Sequence, residues 1–394
     1  MKKASCATRS LLFRLQNLFA SAVYFSSNAL LGAMEFIFRD LRKGGAPENI
    51  LFFRTGSMGD MLCALPAFRA VKRHFPGSRT MLLTKEEKIF SLEPLTSLIG
   101  SDLFDEIIYY KSKDLRSIKR ISVLLGLLRR KRVGRIFYLG QYDVGVLRLI
   151  RDMFFFYACG CRRLDGFSLN KHRIFRLPQR YLRVFDKESE RLLKVVAGSG
   201  AFPQKADFAL PISSRDRDYI DSLWPQDEAS RGRNKIAFMT DAKFSVNRWP
   251  KENFLYLARG LIDKLNAFIV FVGGKEAATT SSEIKNSLGG NCLDLCGVLS
   301  FMQSAEVISR CTMLVSGDSG PLHMAGLLGI PAVGIFSARD YPNCWYPFGG
   351  NHRILRHDLE CQVCLKSECD RMECIKSITA DEVLASCKEI IGGR

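Results

Sequence analysis

The chain has 394 residues, 47% of them apolar and 25% charged, with a formal net charge of +18 at pH 7. That length exceeds what one hydrophobic core usually organises, so two domains are expected, and the composition excludes a disordered chain. Thirteen cysteines, an odd number and mostly in apolar surroundings (Cys63, Cys159, Cys292, Cys311), exclude a secreted disulfide scaffold and predict buried thiols in a reducing compartment.

The N-terminal 34 residues carry four basic groups and no acid, and Leu15–Met34 has no charged residue. No small-residue cleavage site follows a compact apolar core, which argues against a signal peptide. Gln16, Asn17, Ser21, Ser26, Ser27 and Asn28 make a spanning helix costly. Arg14, Asn17, Ser21, Asn28, Gly32 and Glu35 fall on one narrow stripe at helical spacing, which suits a helix lying in a membrane interface or capping another protein surface, with a packed or organelle-targeting segment as the alternative. Residues 1–46 therefore read as a membrane-associating helical extension.

After the break at KGGAPEN, ILFFR (50–54) reads as a buried strand, followed by the glycine turn TGSMGD and a helix. TMLLT (80–84), EIIYY (106–110) and RIFYL (135–139) are further strands separated by helical stretches. Between Lys111 and Lys194 there are 22 Lys/Arg against 7 Asp/Glu. Such a stretch predicts an anionic partner (nucleic acid, an acidic membrane surface or a phosphorylated substrate) or else a solvated basic face. Residues 213–234 hold a short helix and a linker-like run.

The alternation restarts with KIAFMT (235–240), AFIVFVGG (267–274), CLDLCG (292–297), TMLVSGD (312–318) and PAVGIF (331–336), with helices between them. Strands alternating with helices predict parallel sheets covered on both faces. The chain is thus expected to be two α/β halves, 47–212 and 235–394. Ligands of such sheets sit beyond the C-terminal strand ends, and the chemistry-bearing loops fall there.

In RTGSMGDM, Gly56 and Gly59 permit close backbone approach, and Asp60 stands at a helix start. There a carboxylate either caps free N–H groups or serves as a general base. The stretch lacks the G-x-x-x-x-G-K-[ST] pattern, so a P-loop is excluded. In MTDAKFSVNRWP, Lys243 and Arg248 are either diphosphate-neutralising cations or ordinary surface charges. In FVGGKEAA, Glu276 either accepts from sugar hydroxyls or is a helix N-terminal acid. In VSGDSGPLHMAG, Ser319 and Gly320 at a helix start aim N–H groups at a phosphate. Asp318 repels that phosphate and suits neutral sugar hydroxyls beside it. His323 either donates to a phosphoryl oxygen or satisfies a buried carbonyl. Cys361, Cys364, Cys369 and Cys374 have a zinc-knuckle spacing, but the residues between them lack base-stacking aromatics, and reduced structural thiols are the favoured reading.

The segment ILFFRTGSMGDMLCALPAFRAVKRHFP resembles the G-x-x-GD-x-L-x-x-LPA opening of glycosyltransferase family 9, the lipopolysaccharide heptosyltransferase family. VSGDSGPLHMAGLLGIPAVGIF is similar to its D-S-G-x-x-H-x-A-x-x-x-G-x-P segment, and GG-x-E fits as well. The resemblance runs from about residue 48 to the C-terminus. It implies a GT-B fold, with two Rossmann-like domains facing across a cleft, the acceptor on the first and the nucleotide-sugar on the second. It also implies inverting, metal-independent transfer of heptose from ADP-heptose to a lipid-linked, phosphorylated inner-core acceptor. The implied location is the cytoplasmic face of the inner membrane, with no required cofactor and no nucleic acid as partner.

Carried over, Asp60 is the base, Glu276 contacts the ribose, Asp318 the heptose hydroxyls and Ser319–Gly320 the diphosphate. One departure is that Asn247 stands where the family typically has Lys, so diphosphate stabilisation falls to Arg248 or Lys243, or the donor differs. Rival readings are transfer of another nucleotide-sugar to a surface glycan, a basic nucleic-acid-binding protein with a zinc knuckle, and a non-catalytic scaffold.

Overall fold

A strand covered on both faces has no polar side to show, and β1 (Asn49–Phe53) is buried from its second residue on. The computed structural model describes residues 49–86, 100, 102–111, 117–141, 146–167, 186–225 and 230–393, together with 26, 29–34 and 36. After β1 come α1 (Met58–His74), β2 (Arg79–Lys85), β3 (Glu106–Tyr110), α2 (Ile118–Arg130), β4 (Arg135–Tyr138), α3 (Val146–Ala158), β5 (Arg163–Asp165), α4 (Glu188–Ala197) and α5 (Ser214–Leu223). The second half opens with β6 (Asn234–Met239), α6 (Lys251–Leu265), β7 (Ala267–Phe271), α7 (Lys275–Leu288), β8 (Cys292–Asp294) and α8 (Phe301–Ser309). It continues with β9 (Met313–Gly317), α9 (Gly320–Leu328), β10 (Ala332–Phe336), β11 (Arg353–Arg356), α10 (Glu373–Lys376) and α11 (Ala380–Gly392).

All the strands expected from the sequence form, though the glycine-rich ends of AFIVFVGG and CLDLCG lie in loops. β5 and β11 were not expected: each is a short edge strand with charged ends, and its partner rather than its own pattern makes it a strand. The first sheet has the order β3-β2-β1-β4-β5 and the second β11-β10-β9-β6-β7-β8. Every pairing is parallel. The order reverses between β1 and β4 in the first sheet and between β6 and β9 in the second. Loops leaving such a switch point diverge and open a crevice.

Both sheets are covered on both faces. One core cluster joins α1 and α4 of the first half to Ala237, Val270, Leu314 and Leu322 of the second, so the two halves share apolar contacts. The other face of the first sheet carries α2 and α3, together with Leu31 from a helical stretch at 29–34. The remainder of the expected extension, residues 1–46, lies outside the described residues. α6, α7 and α11 cover the far face of the second sheet. The segment expected as a linker contains α5, whose Asp221 pairs with Arg310 at 2.6 Å and fastens it to the end of α8. Every described cysteine is a free thiol. Among the described residues no helix is long and apolar enough to cross a membrane.

Candidate active site

Asp60 lies in the first turn of α1, where Ser57 is the N-cap. Its Oδ2 accepts from the Ser57 amide at 2.6 Å and from the Ser57 hydroxyl at 2.8 Å. The capping role is therefore real. It leaves Oδ1 with one distant cationic neighbour, Arg54 Nη2 at 3.5 Å. Gly56 is required beside it: φ is +130°, and a Cβ there would stand 2.4 Å from the Asp60 Cγ.

Beneath this turn sits a charged cluster that the sequence did not single out. Arg54, fully buried at the end of β1, donates to the Asp60 carbonyl at 2.9 Å and, across the switch point, to the Leu139 carbonyl at 2.9 Å. Its Nη1 also meets Glu188 at 2.7 Å, and Glu188 in turn holds Arg191 at 2.8 Å. Burial alone would raise the Glu188 carboxyl, but the guanidiniums of Arg191 and Arg54 hold it down at about 2. A cation closing a wholly apolar strand, FFR, was the available signal for Arg54. Nothing in the pattern around Glu188 marked it.

At the second switch point Asn247, 3% exposed, donates to Asp318 Oδ2 at 3.1 Å and accepts from the Ser337 hydroxyl at 2.5 Å. Three neighbouring loops, after β6, β9 and β10, are thereby tied together. The Asp318 carboxyl is enclosed although the residue keeps some surface. Burial first, and then the charges of Asp340 and Asp60, push it up to about 7, against the pull of Arg339 and the hydrogen bond from Asn247. Ser319 is the N-cap of α9 in extended conformation, with its hydroxyl 2.7 Å from that of Ser316. Gly320 opens the helix and Pro321 occupies its first turn, where a missing N–H costs nothing.

The two helix starts meet. A Cβ on Gly59 would stand 3.2 Å from the His323 ring and 3.6 Å from the Gly320 Cα. Cys63 Sγ lies 3.4 Å from His323 Nδ1. Burial, helped by the Arg54 charge, lowers the His323 imidazole to about 4 against Asp60 and Glu188, so the ring is neutral at pH 7. Burial likewise keeps the Cys63 thiol protonated. Asp60, Asp318, Ser319, Gly320 and His323 thus share one locus.

The other expected residues are more exposed. Arg248 is half exposed and its Nε is engaged by Asp241 at 2.6 Å and the Ala242 carbonyl at 3.1 Å. Lys243 is exposed above the Phe244 ring. Glu276 is exposed in the first turn of α7. Arg339, which sequence reading missed, is 11% exposed at its side chain and stacks on Phe244 at 4.5 Å. It follows β10 while Phe244 follows β6, on either side of β9, and its charge acts on the Asp318 carboxyl. Its Nε and Nη2 donate to the carbonyls of Lys366 and Leu365, leaving Nη1 with Asp340 at 3.7 Å. That loop of Cys361, Cys364 and Cys369 thereby supports the site, with Val363 and Leu365 amides bonded to the carbonyls of Ala338 and Arg339. Among the described residues no three His, Cys, Asp or Glu side chains are arranged to hold a metal ion. Burial, and then the other three thiols, raise Cys374.

The family model of glycosyltransferase family 9 (heptosyltransferase) matches residues 166–375, more than half of the chain. The chain belongs to glycosyltransferase family 9. It is 22% identical over 338 residues to lipooligosaccharide heptosyltransferase 2 of Campylobacter jejuni, covering 84% of this chain and 96% of that one. The glycosyltransferase family 9 structure from Veillonella parvula superposes with a TM-score of 0.65 at 16% identity, over 88% of this chain and 98% of that one. ADP-heptose lipopolysaccharide heptosyltransferase II of E. coli gives 0.59 at 20% identity, over 88% and 99%. The fold is therefore the expected GT-B arrangement of two Rossmann-like units, and this family 9 member is a glycosyltransferase.

Proposed function

We propose that the chain transfers heptose from ADP-heptose to a lipid-linked, phosphorylated acceptor of the lipopolysaccharide inner core, with inversion and without a metal ion. The observation that carries this reading is the meeting of the two helix starts, Asp60 from the first sheet beside Ser319–Gly320 and His323 from the second. The names of its relatives supply the donor and the acceptor class.

In this scheme Asp60, through Oδ1, takes the proton of the acceptor hydroxyl as its oxygen attacks the anomeric carbon. The bond from that carbon to the diphosphate oxygen breaks on the opposite face, and ADP leaves with the electron pair. Its growing charge meets the N–H groups at the start of α9 and a guanidinium, fixed dipoles that need no reorganisation. Asp318 orients the heptose hydroxyls and Glu276 the ribose. Since Arg248 and Lys243 point to solvent or to Asp241, Arg339 is the better-placed cation for the diphosphate. The N-terminal extension holds the enzyme at the cytoplasmic face of the inner membrane.

The test is a thermal-shift and transfer panel of ADP-, UDP- and GDP-sugars with heptose-deficient lipopolysaccharide as acceptor, with and without EDTA. ADP-heptose is expected to raise the melting point and to be consumed equally with chelator present. Preference for a UDP- or GDP-sugar, binding of ADP-heptose without transfer, or loss of transfer with EDTA overturns the reading.

A further inference from the structure

α2 and α3 lie side by side on the outer face of the first sheet: both contribute to one core cluster, and Arg129 near the end of α2 donates to the Ala158 carbonyl at the end of α3 at 2.8 Å. Each is amphipathic with an unusual outer face. Ile118 is 87% exposed, Val123 66% and Leu147 84%, values expected of lysines rather than aliphatic residues. Beside them in the chain stand exposed Lys119 and Arg148, while Arg151 is paired with Asp152 at 2.6 Å. α2 has no acid at all, and the one acid of α3, Asp152, is buried, bonded to Tyr138.

The topology says which way this face looks. α2 follows β3 and α3 follows β4, so both helices begin at the C-terminal edge of the parallel sheet, the edge at which β1 delivers Asp60. The most exposed apolar side chains, Ile118 and Leu147, are at those helix starts. Apolar side chains flanked by cations, with no exposed acid on the described residues of either helix, match a bilayer surface carrying anionic lipid: the aliphatic groups enter the interface and the cations meet the headgroups. The helical stretch at 29–34 buries Leu31 in the same cluster and exposes Leu30.

We infer that the outer face of α2 and α3, centred on Ile118 and Leu147, is a lipid-docking surface that sets the Asp60 edge of the first domain against an anionic membrane. This fits the lipid-linked acceptor proposed above but rests on separate residues, outside the catalytic locus. The 394-residue chain is floated with phosphatidylcholine vesicles with or without phosphatidylglycerol. Wild type is expected to bind the anionic vesicles. I118S/L147S, with an unchanged melting point because both side chains are already exposed, is expected to bind them at least about tenfold more weakly. K119E/R148E should lose the preference for anionic over neutral vesicles.

No binding by wild type, or equal binding by wild type and both variants, overturns the inference. So does a wild-type dimer that I118S/L147S converts to monomer, since a second copy is then the occupant. Transfer to a delipidated, water-soluble acceptor should be the same in wild type and I118S/L147S. Failure of that transfer in wild type counts against the heptosyltransferase reading and not against the docking face.

Discussion

The two switch points each bury a carboxyl group, and the groups are set oppositely. Glu188, under the first sheet's loops, is clasped by two guanidiniums and held at about 2. Asp318, in the second sheet's loops, has an amide as its hydrogen-bonding partner and a guanidinium that acts from farther off, and it stands at about 7. Burial raises both, and the count and closeness of cations decides the outcome. The first site is a fixed charged foundation that holds Arg54, and through it the turn bearing Asp60. The second is a carboxyl near its own titration point, whose state the ligand beside it will influence.

The comparison breaks most visibly at the foundation. Glu188→Gln leaves Arg54 and Arg191 buried with one anion fewer, and loss of about 3–5 kcal/mol in urea unfolding is expected. A loss below about 1 kcal/mol would mean that the cluster is not a foundation. Next in size, Arg339→Ala is expected to weaken ADP binding by at least about tenfold, the scale of one charge-assisted hydrogen bond, while Lys243→Ala changes it less than about threefold. Titration calorimetry checks both. The reverse order would return the diphosphate to the residue chosen from sequence.

The smallest effect is in pH dependence. Folded Asp318 keeps its proton up to about pH 7, whereas a solvated aspartate gives it up near 4, so its contribution to stability falls as pH rises from about 4 to 7. His323 acts oppositely. Unfolded, it takes a proton below about 6.5 that the folded ring refuses until about 4, so stability falls as pH drops through that window. From pH 4 to 6.5 the two slopes oppose each other. Asp318→Asn should unmask the His323 slope there and melt a few degrees higher than wild type at pH 8. Identical melting curves for the two proteins against pH would refute the setting of Asp318.

Much of this was legible in the sequence. ILFF and AFIVF are continuous apolar runs, which suit a doubly covered strand. The glycine before Asp60 and the Ser-Gly-Pro after Asp318 are local devices, so their placement at strand ends was readable. What stayed hidden was tertiary. Arg339 lies 95 residues after Phe244, and nothing marks the two as neighbours until β10 is placed beside β9 and β9 beside β6. Glu188 becomes a partner of Arg54 only because α4 folds back on the first sheet. Arg248 and Lys243 looked suitable by residue type, and their orientation is set by Asp241 and Phe244, which spacing does not encode. β5 and β11 are too short and too charged to announce themselves.

The central claim is that Asp60 deprotonates the acceptor while the second domain holds the donor. Asp60→Asn separates this from capping, because an Asn side-chain oxygen still accepts from the Ser57 amide. Steady-state ADP release with heptose-deficient lipopolysaccharide, paired with calorimetric ADP binding, is the direct measurement. kcat is expected to fall at least about a hundredfold with the ADP Kd unchanged within about threefold. An Asp60→Asn enzyme that keeps more than about a tenth of wild-type kcat contradicts the account.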